Sequence, residues 1–485
     1  MRSSITRSLG LFLLLQGALL LIASGRARTV DEHSLHFMAE SMVARGSVAV
    51  PQLVELGSFY GKPSLRGEAY APYSPGQPVA ASIYLRALGP WFRASASKPL
   101  GEPMLLANQA ATSLLSTTMI ALTAVLFMLA AEALGIRPFV ALASSLLLVA
   151  STPLLPYSKY GFSEPSLAAL VALVLYGLVQ WDLGKAHGLW LAGIGVALAV
   201  SVKLAVGGLL FGAVGLALLS RPEGRNLQAL TRFAVAPVCA LALHLTWNWV
   251  RFDDMWDLGY PAAAELGRRL NDFDTPLAVG LFGLLLSPGK GLLFFAPGVI
   301  AAALGLRAAF QKSPSAVITG LVFFVASLLL YSRYSAWEGG YCVGPRYLLP
   351  ALPFLWLGLP FVLSGERRKF TLALCLAGLV LQGPAVATSF IEDQAPRGRY
   401  YDATYHYQIG YTPAGQWRLA ARYLPGLFTG EAWNQPLGLG LDFWFVFLVR
   451  AGFGRDLVLS WFAVASALVV SGGALLARES RGATR

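Results

Sequence analysis

The chain has 485 residues, of which 56% are hydrophobic and only 13% are Asp, Glu, Lys or Arg. A soluble domain carries about 25% charged residues, so this composition excludes a soluble globular protein and indicates a chain that crosses a membrane many times. The formal net charge of +12 does not mark a nucleic-acid binder, because many of the basic residues lie in short loops between apolar segments, where they orient a membrane protein.

Met1 to Ser24 resembles a signal peptide, with Arg2 and Arg7 before an apolar run and Ala23-Ser24-Gly25 as a weak cleavage signal. The chain continues as a polytopic protein, so this segment is read as an uncleaved first helix. Long apolar runs predict about twelve spans, each needing roughly 17–25 residues when fully transmembrane. They fall near Leu9–Ser24, Met104–Ala131, Phe139–Leu155, Pro165–Trp181, Gly188–Val202, Leu204–Leu219, Phe233–Val250, Gly291–Leu306, Ser315–Tyr331, Tyr347–Leu363, Phe370–Ala387 and Leu457–Ala477. With both termini cytoplasmic, Arg137, Lys185, Arg221, Arg225, Arg232, Arg307, Lys312 and Arg367–Lys369 fall in inner loops, as the positive-inside rule requires. Asp31, Glu32, Glu164, Lys203, Arg251, Glu338 and Arg346 then share the outer face. The expected fold class is an all-α polytopic membrane protein. Its organisation is a membrane module over 1–387 with a large first outer loop at 25–103, an aromatic-rich outer loop at 388–456, and a last span and tail at 457–485.

Asp31-Glu32 sits just past the first span, and carboxylates at a membrane rim are costly to place without a use. One reading makes Asp31 a general base whose proton affinity burial raises. The other makes it the N-cap of an amphipathic interfacial helix over His33–Ala44. The following Asp-Glu-His-x-x-His run, with His33 and His36 three residues apart, departs from the four-residue spacing of zinc helices, and no metal is assigned. Tyr70 to Pro78 carries three prolines and a glycine, so it is a shaped loop, and Val79–Leu88 is a helix too short to span.

Glu164 precedes Pro165, either as a site acid or as ordinary charge at a helix start. Lys203, between two short apolar runs, binds an anion or snorkels to the interface. Asn248–Tyr260, which holds Arg251, opens an aromatic outer segment. Leu286–Gly291 is a glycine-bounded turn around Lys290 that lacks the P-loop spacing. Trp337-Glu338-Gly339-Gly340-Tyr341 and Gly344-Pro345-Arg346-Tyr347 offer close backbone approach and a planar guanidinium suited to phosphate. An arginine on the outer side also opposes the positive-inside bias.

Taken together, Asp-Glu after the first span, Tyr-x-x-Tyr-x-Pro-Gly, Phe162–Pro165, Ser287–Gly291 and Gly344–Pro350 resemble the GT-C glycosyltransferases. The likeness is to the bacterial branch related to protein O-mannosyltransferases and to the aminoarabinose transferase of lipid A. It implies a GT-C-like bundle with juxtamembrane helices in the first outer loop, in the bacterial inner membrane. It implies transfer of a hexose or pentose from a polyprenyl phosphate to an extracytoplasmic acceptor hydroxyl, usually with inversion, with Asp31 as base beside Glu32. Phosphate leaves in such a reaction, and topology selects Lys203 and Arg346 to receive it, with Arg251 and Lys159 behind them. Glu164, Tyr70, Tyr73, Glu338 and Tyr347 are the remaining substrate-binding candidates. No cofactor is called for, although a divalent cation has room in the scheme; the partners are the lipid-linked donor, the acceptor and membrane lipids. The competing expectations are a flippase or other transporter of lipid-linked saccharide, and a polysaccharide polymerase or ligase. Transporters tend to show repeated halves and midplane charges, whereas the charges here collect at one face.

Overall fold

The computed structural model describes residues 2–56, 61–64, 67–94, 102–259, 273–389, 413–435 and 440–482. Tyr260, parts of the first outer loop, and residues 390–412 and 436–439 of the expected aromatic loop lie outside them. The helices are α1 (Arg2–Ile22), α2 (Val30–Ala44), α3 (Gly76–Ala94), α4 (Glu102–Ala133), α5 (Pro138–Ala150), α6 (Leu154–Tyr157), α7 (Glu164–Asp182), α8 (His187–Val202), α9 (Leu204–Leu219) and α10 (Leu227–Phe252). Later ones are named by their residues: Leu277–Leu285, Gly298–Lys312, Pro314–Arg333, Arg368–Ala387 and Arg455–Gly482. The sheet described is one short hairpin, Lys62–Pro63 against Ala69–Tyr70.

Among the described residues seven helices are long and apolar enough to cross a membrane: 3–22, 108–133, 164–182, 227–252, 314–333, 368–387 and 455–479. Helices α5, α8 and α9 are apolar but shorter. The difference from the expected twelve has a physical cause in two places. Tyr347–Leu363 is broken into a 3₁₀ turn at Arg346–Ala351 and two single turns, Leu352–Leu355 and Leu359–Leu363. Pro350, Pro353 and Pro360 deny it a continuous helix. Irregular backbone at membrane depth is tolerated where protein surrounds it, and Leu348 to Pro360 is buried throughout. Gly291–Leu306 likewise divides at Pro297 into a single turn and the helix Gly298–Lys312.

Helix α7 is the centre of the bundle, buried along most of its length and packed on α4 and α8. Helix α1 packs along the last helix, and at one end of the bundle Arg7 pairs with both Glu132 and Glu479. At that same end Asp182 accepts hydrogen bonds from Arg221, Ser313 and Ser315. The opposite end holds Asp31, the start of α7 and the α8–α9 turn. Helix α2 is not laid on a surface with one wet face. Glu32, Leu35, His36, Met38 and Ala39 are all buried against its neighbours, among them α3 and α4.

Lys203 forms that α8–α9 turn in an extended conformation (φ −155°, ψ 104°), so the two helices fold back on each other there. The close approach uses Gly207. A Cβ on it would lie 2.5 Å from Val200 N and 2.6 Å from Val200 Cα, whereas Gly208 faces open space. Gly207→Ala is therefore expected to force the hairpin apart and lower stability by about 1–3 kcal/mol. Gly208→Ala should be neutral or stabilise by roughly 0.5–1 kcal/mol through backbone entropy. Thermal unfolding of both variants in detergent checks the contrast.

Candidate active site

Helix α2 begins with a capping box. Thr29 Oγ1 accepts from Glu32 N at 3.3 Å, and the Glu32 carboxylate accepts from Thr29 N at 3.1 Å. Thr29 is thus the N-cap, and of the two readings of Asp31 the capping one is set aside. Glu32 also accepts from Arg28 N at 3.1 Å and from Gly161 N at 2.7 Å, so it fastens the start of α2 to the turn before α7. Asp31, freed from capping, stands in the first turn with its side chain 26% exposed.

Four side chains from distant parts of the chain meet Asp31 directly or in relay. Tyr73 Oη donates to Asp31 Oδ1 at 2.7 Å, and Arg346 Nη1 donates to Oδ2 at 2.9 Å. Arg346 Nε donates to Glu164 Oε1 at 3.0 Å, and Lys203 Nζ donates to that same oxygen at 3.3 Å. Two carboxylates and two cations form a neutral chain, the arrangement that permits charges to persist out of water. Glu164 comes from the first turn of α7, where helix N–H groups favour an anion.

Arg346 is held on every side. Its guanidinium carbon lies 4.1 Å from the Phe162 ring centre, and Gly339 O accepts from Nη1 at 3.3 Å. Gly339 has φ +78°, and a Cβ there would sit 3.1 Å from Arg346 Cβ. The loop carrying these groups is braced by buried Lys290, whose Nζ donates to Cys342 O at 2.8 Å and Gly340 O at 3.1 Å. Tyr347 stacks on Tyr331 at 4.2 Å, and Lys203 Nζ lies 5.1 Å from the Tyr347 ring.

Burial pushes the Asp31 carboxyl up, but the Arg346 charge, the hydrogen bonds from Tyr73 and Arg346, and the charge of Lys203 outweigh it. The carboxyl therefore lies below its ordinary value, and the expectation of a raised Asp31 is overturned by its counter-ion.

The other expected site residues lie apart from this chain of contacts. Arg251 is buried under the Tyr70–Pro78 loop, donating to Ala71 O and Tyr73 O and to Asn248 Oδ1 at 2.8 Å. Tyr70 packs edge-on to Phe252 and donates to Glu68. Glu338 is buried in the turn before Gly339, and burial raises its carboxyl to about 7. Lys159 belongs to a second buried cluster. It lies 3.2 Å from Asp442 Oδ2, Arg28 Nη2 lies 2.6 Å from both oxygens of Asp442, and Arg26 Nη2 lies 3.3 Å from Oδ1. Burial pushes Asp442 up, but its three cations hold it well below the usual carboxylate range. Burial brings the Lys159 amine down to about 8. Lys290 drew notice in the sequence only as the cation of a turn, and Asp442, Arg26 and Arg28 drew none; their partners come from the far end of the chain.

Residues 99–222 match the family described as dolichyl-phosphate-mannose-protein mannosyltransferase. No curated protein matches the chain in sequence. Among solved structures, the chain is similar to ArnT from Cupriavidus metallidurans bound to undecaprenyl phosphate. The TM-score is 0.50 at 13% identity, covering 97% of this chain and 76% of that one. The apo state of the same protein gives a TM-score of 0.45 at the same identity and coverage. The GT-C resemblance read from the motifs is borne out, and the fold is that of a polytopic membrane protein.

Arg346→Gln leaves two carboxylates without their shared counter-charge. It is expected to cost about 3–5 kcal/mol of stability at neutral pH. A depressed carboxyl stabilises the fold above its unfolded pKa and loses that contribution as pH falls through its folded value. The gap between wild type and variant should therefore narrow on acidification, which denaturation in detergent across the acidic range measures.

Proposed function

We propose that the protein is an inverting glycosyltransferase that moves a sugar from a polyprenyl phosphate to an acceptor hydroxyl, with Asp31 as general base. The observation that carries this reading is the convergence of Asp31, Arg346, Glu164 and Lys203 at one end of an apolar bundle. The family match and the fold support it. So does the ArnT structure's own ligand, undecaprenyl phosphate. Two cations, Arg346 and Lys203, at one end of an apolar helical bundle suit a phosphate whose prenyl chain stays in the bilayer. The basic loops at the opposite end favour an extracytoplasmic site in a bacterial inner membrane.

In the chemistry proposed, the acceptor O–H gives its proton to Asp31 as its oxygen attacks the anomeric carbon. The bond from that carbon to the phosphate oxygen breaks, and the phosphate leaves with the electron pair. A phosphate gains negative charge as it departs, and preorganised cations stabilise that charge by several kcal/mol in comparable sites. Arg346 and Lys203 fill this role, and Tyr347 keeps Lys203 in place.

The ion pair explains how a carboxylate with low proton affinity becomes a base. A phosphate drawn to Arg346 competes with Asp31 for the guanidinium. Once Arg346 turns away, the largest influence holding Asp31 low is gone, and burial raises its proton affinity against only the Tyr73 hydrogen bond and the Lys203 charge. Donor binding thus arms the base, and in its absence Asp31 is held quiescent. Glu32 serves as the fastening that orients Asp31, and Arg251 shapes the loop that carries Tyr73. Lys159 and Glu338 support the surrounding turns.

Asp31→Asn keeps the size of the side chain and removes the base. Transfer from an undecaprenyl-phosphate sugar by the purified protein in lipid should fall by about 10²–10⁴-fold, in a protein that still inserts in the membrane and keeps its helix content. Turnover within a factor of two of wild type removes Asp31 from the mechanism.

A further inference from the structure

The short helix Pro413–Tyr423 packs on the spanning helix Arg368–Ala387. Val386, near the end of that spanning helix, accepts a hydrogen bond from Lys159 Nζ at 2.5 Å, so the two helices meet at the end of the bundle that holds Asp31. The outward stripe of the spanning helix is apolar and exposed at Leu372, Leu376, Leu379 and Val380, as a bilayer-facing surface is. Gly383 continues this stripe one turn on, and a Cβ there would lie 3.9 Å from Trp417 Cζ2. Trp417, itself 44% exposed, therefore stands where the bilayer-facing surface reaches the rim of the membrane. Indole rings collect at that level in membrane proteins.

The exposed face of the short helix is graded. Ala414, Trp417, Arg418, Ala421 and Arg422 are exposed, whereas Gly415, Gln416 and Ala420 are buried against their neighbours. At 100° per residue the exposed five span an arc of roughly 140°, which runs from Trp417 through the two alanines to Arg418 and Arg422. A face sunk in hydrocarbon could not carry two arginines, and a face turned wholly to water has no use for the indole. The order of side chains fits a helix lying in the interface plane. The single turn that follows, Gly426–Thr429, leaves Phe428 92% exposed, a second large apolar side chain without protein cover.

Charge selects the lipid. Residues 413–435 carry Arg418 and Arg422 against one acid, Glu431. Arginines at this end of the bundle run against the positive-inside bias, so orientation in the bilayer does not account for them. Anionic headgroups do, since each arginine held near such a surface strengthens binding about fivefold. We propose that Pro413–Tyr423 is an interfacial helix that binds the phosphate headgroups of anionic phospholipid, with Trp417 seated at the hydrocarbon edge. This surface stands apart from Asp31 and holds whether or not the protein transfers sugar.

The test uses the full chain with a nitroxide at Ala421→Cys, in a Cys239→Ser background because Cys239 is the exposed native thiol. In nanodiscs of phosphatidylcholine, collisions with a water-soluble nickel chelate report the depth of the label. It should meet much less nickel than a nitroxide at Glu223→Cys, an exposed loop residue of the opposite end. The protein in detergent micelles is then titrated with phosphatidylglycerol or with phosphatidylcholine, and immobilisation of the Ala421→Cys label is followed. Phosphatidylglycerol should act at about thirtyfold lower mole fraction than phosphatidylcholine. Arg418→Gln or Arg422→Gln alone should reduce that preference to about fivefold, and the two together should abolish it. A label as open to nickel as the one at Glu223 would mean that the face meets water and is left for a soluble partner, and overturns the proposal. So does an equal response to the two lipids in wild type, or a preference that survives the double substitution.

Discussion

Arg346 is the group on which the site depends. It bridges Asp31 on α2 to Glu164 on α7, and Lys203 completes the neutral chain from the α8–α9 turn. Removing any one charge leaves another stranded at the edge of an apolar bundle, where an unpaired ion is far more costly than in water. The ion pairs therefore do two things at once. They hold four distant segments of the chain together, and they set the proton affinity of Asp31 below that of an ordinary carboxylate. A bridge that binds so tightly also offers a means of control, because any phosphate that competes for the guanidinium changes the chemistry of the carboxylate it leaves.

Around this chain the structure places groups whose work is to keep it still. Glu32 accepts four hydrogen bonds, from Arg28 N, Thr29 N, Thr29 Oγ1 and Gly161 N, so the direction of the first turn of α2 is fixed. Lys290 fixes the loop that presents Arg346. Asp442 gathers Arg26, Arg28 and Lys159, and thereby ties the segment before the last helices to the approach to α2.

Much of this was legible in the amino-acid sequence, for identifiable reasons. Apolar runs bounded by loop residues located α4, α7, α8 and α9 to within two residues, and α10 but for its first six, because hydropathy and length dominate in a membrane. The outer-face assignment gathered Asp31, Glu164, Lys203 and Arg346 before any contact was known, since topology alone forces charges of alternate loops to one end. What escaped were properties that depend on specific partners. The prolines at 350, 353 and 360 were visible, but that buried irregular turns replace a span there follows only from the packing around them. Thr29 was overlooked as the cap because Asp31 is an equally good capping residue in isolation. The lowered proton affinity of Asp31 was missed because burial was counted and Arg346, 315 residues away, was not. Asp442 gave no local signal at all; one acid in an apolar stretch becomes informative once three cations surround it.

Arming of Asp31 requires that a phosphate lipid take Arg346 from it. The direct measurement is a pH titration of the Asp31 carboxyl ¹³C resonance, assigned by its loss in Asp31→Asn, with the protein in nanodiscs with and without undecaprenyl phosphate. A midpoint below the ordinary carboxylate value in the lipid-free protein, moving above it when the lipid is bound, is the result expected. A midpoint that the lipid leaves where it was would contradict the exchange and with it the proposed arming of the base.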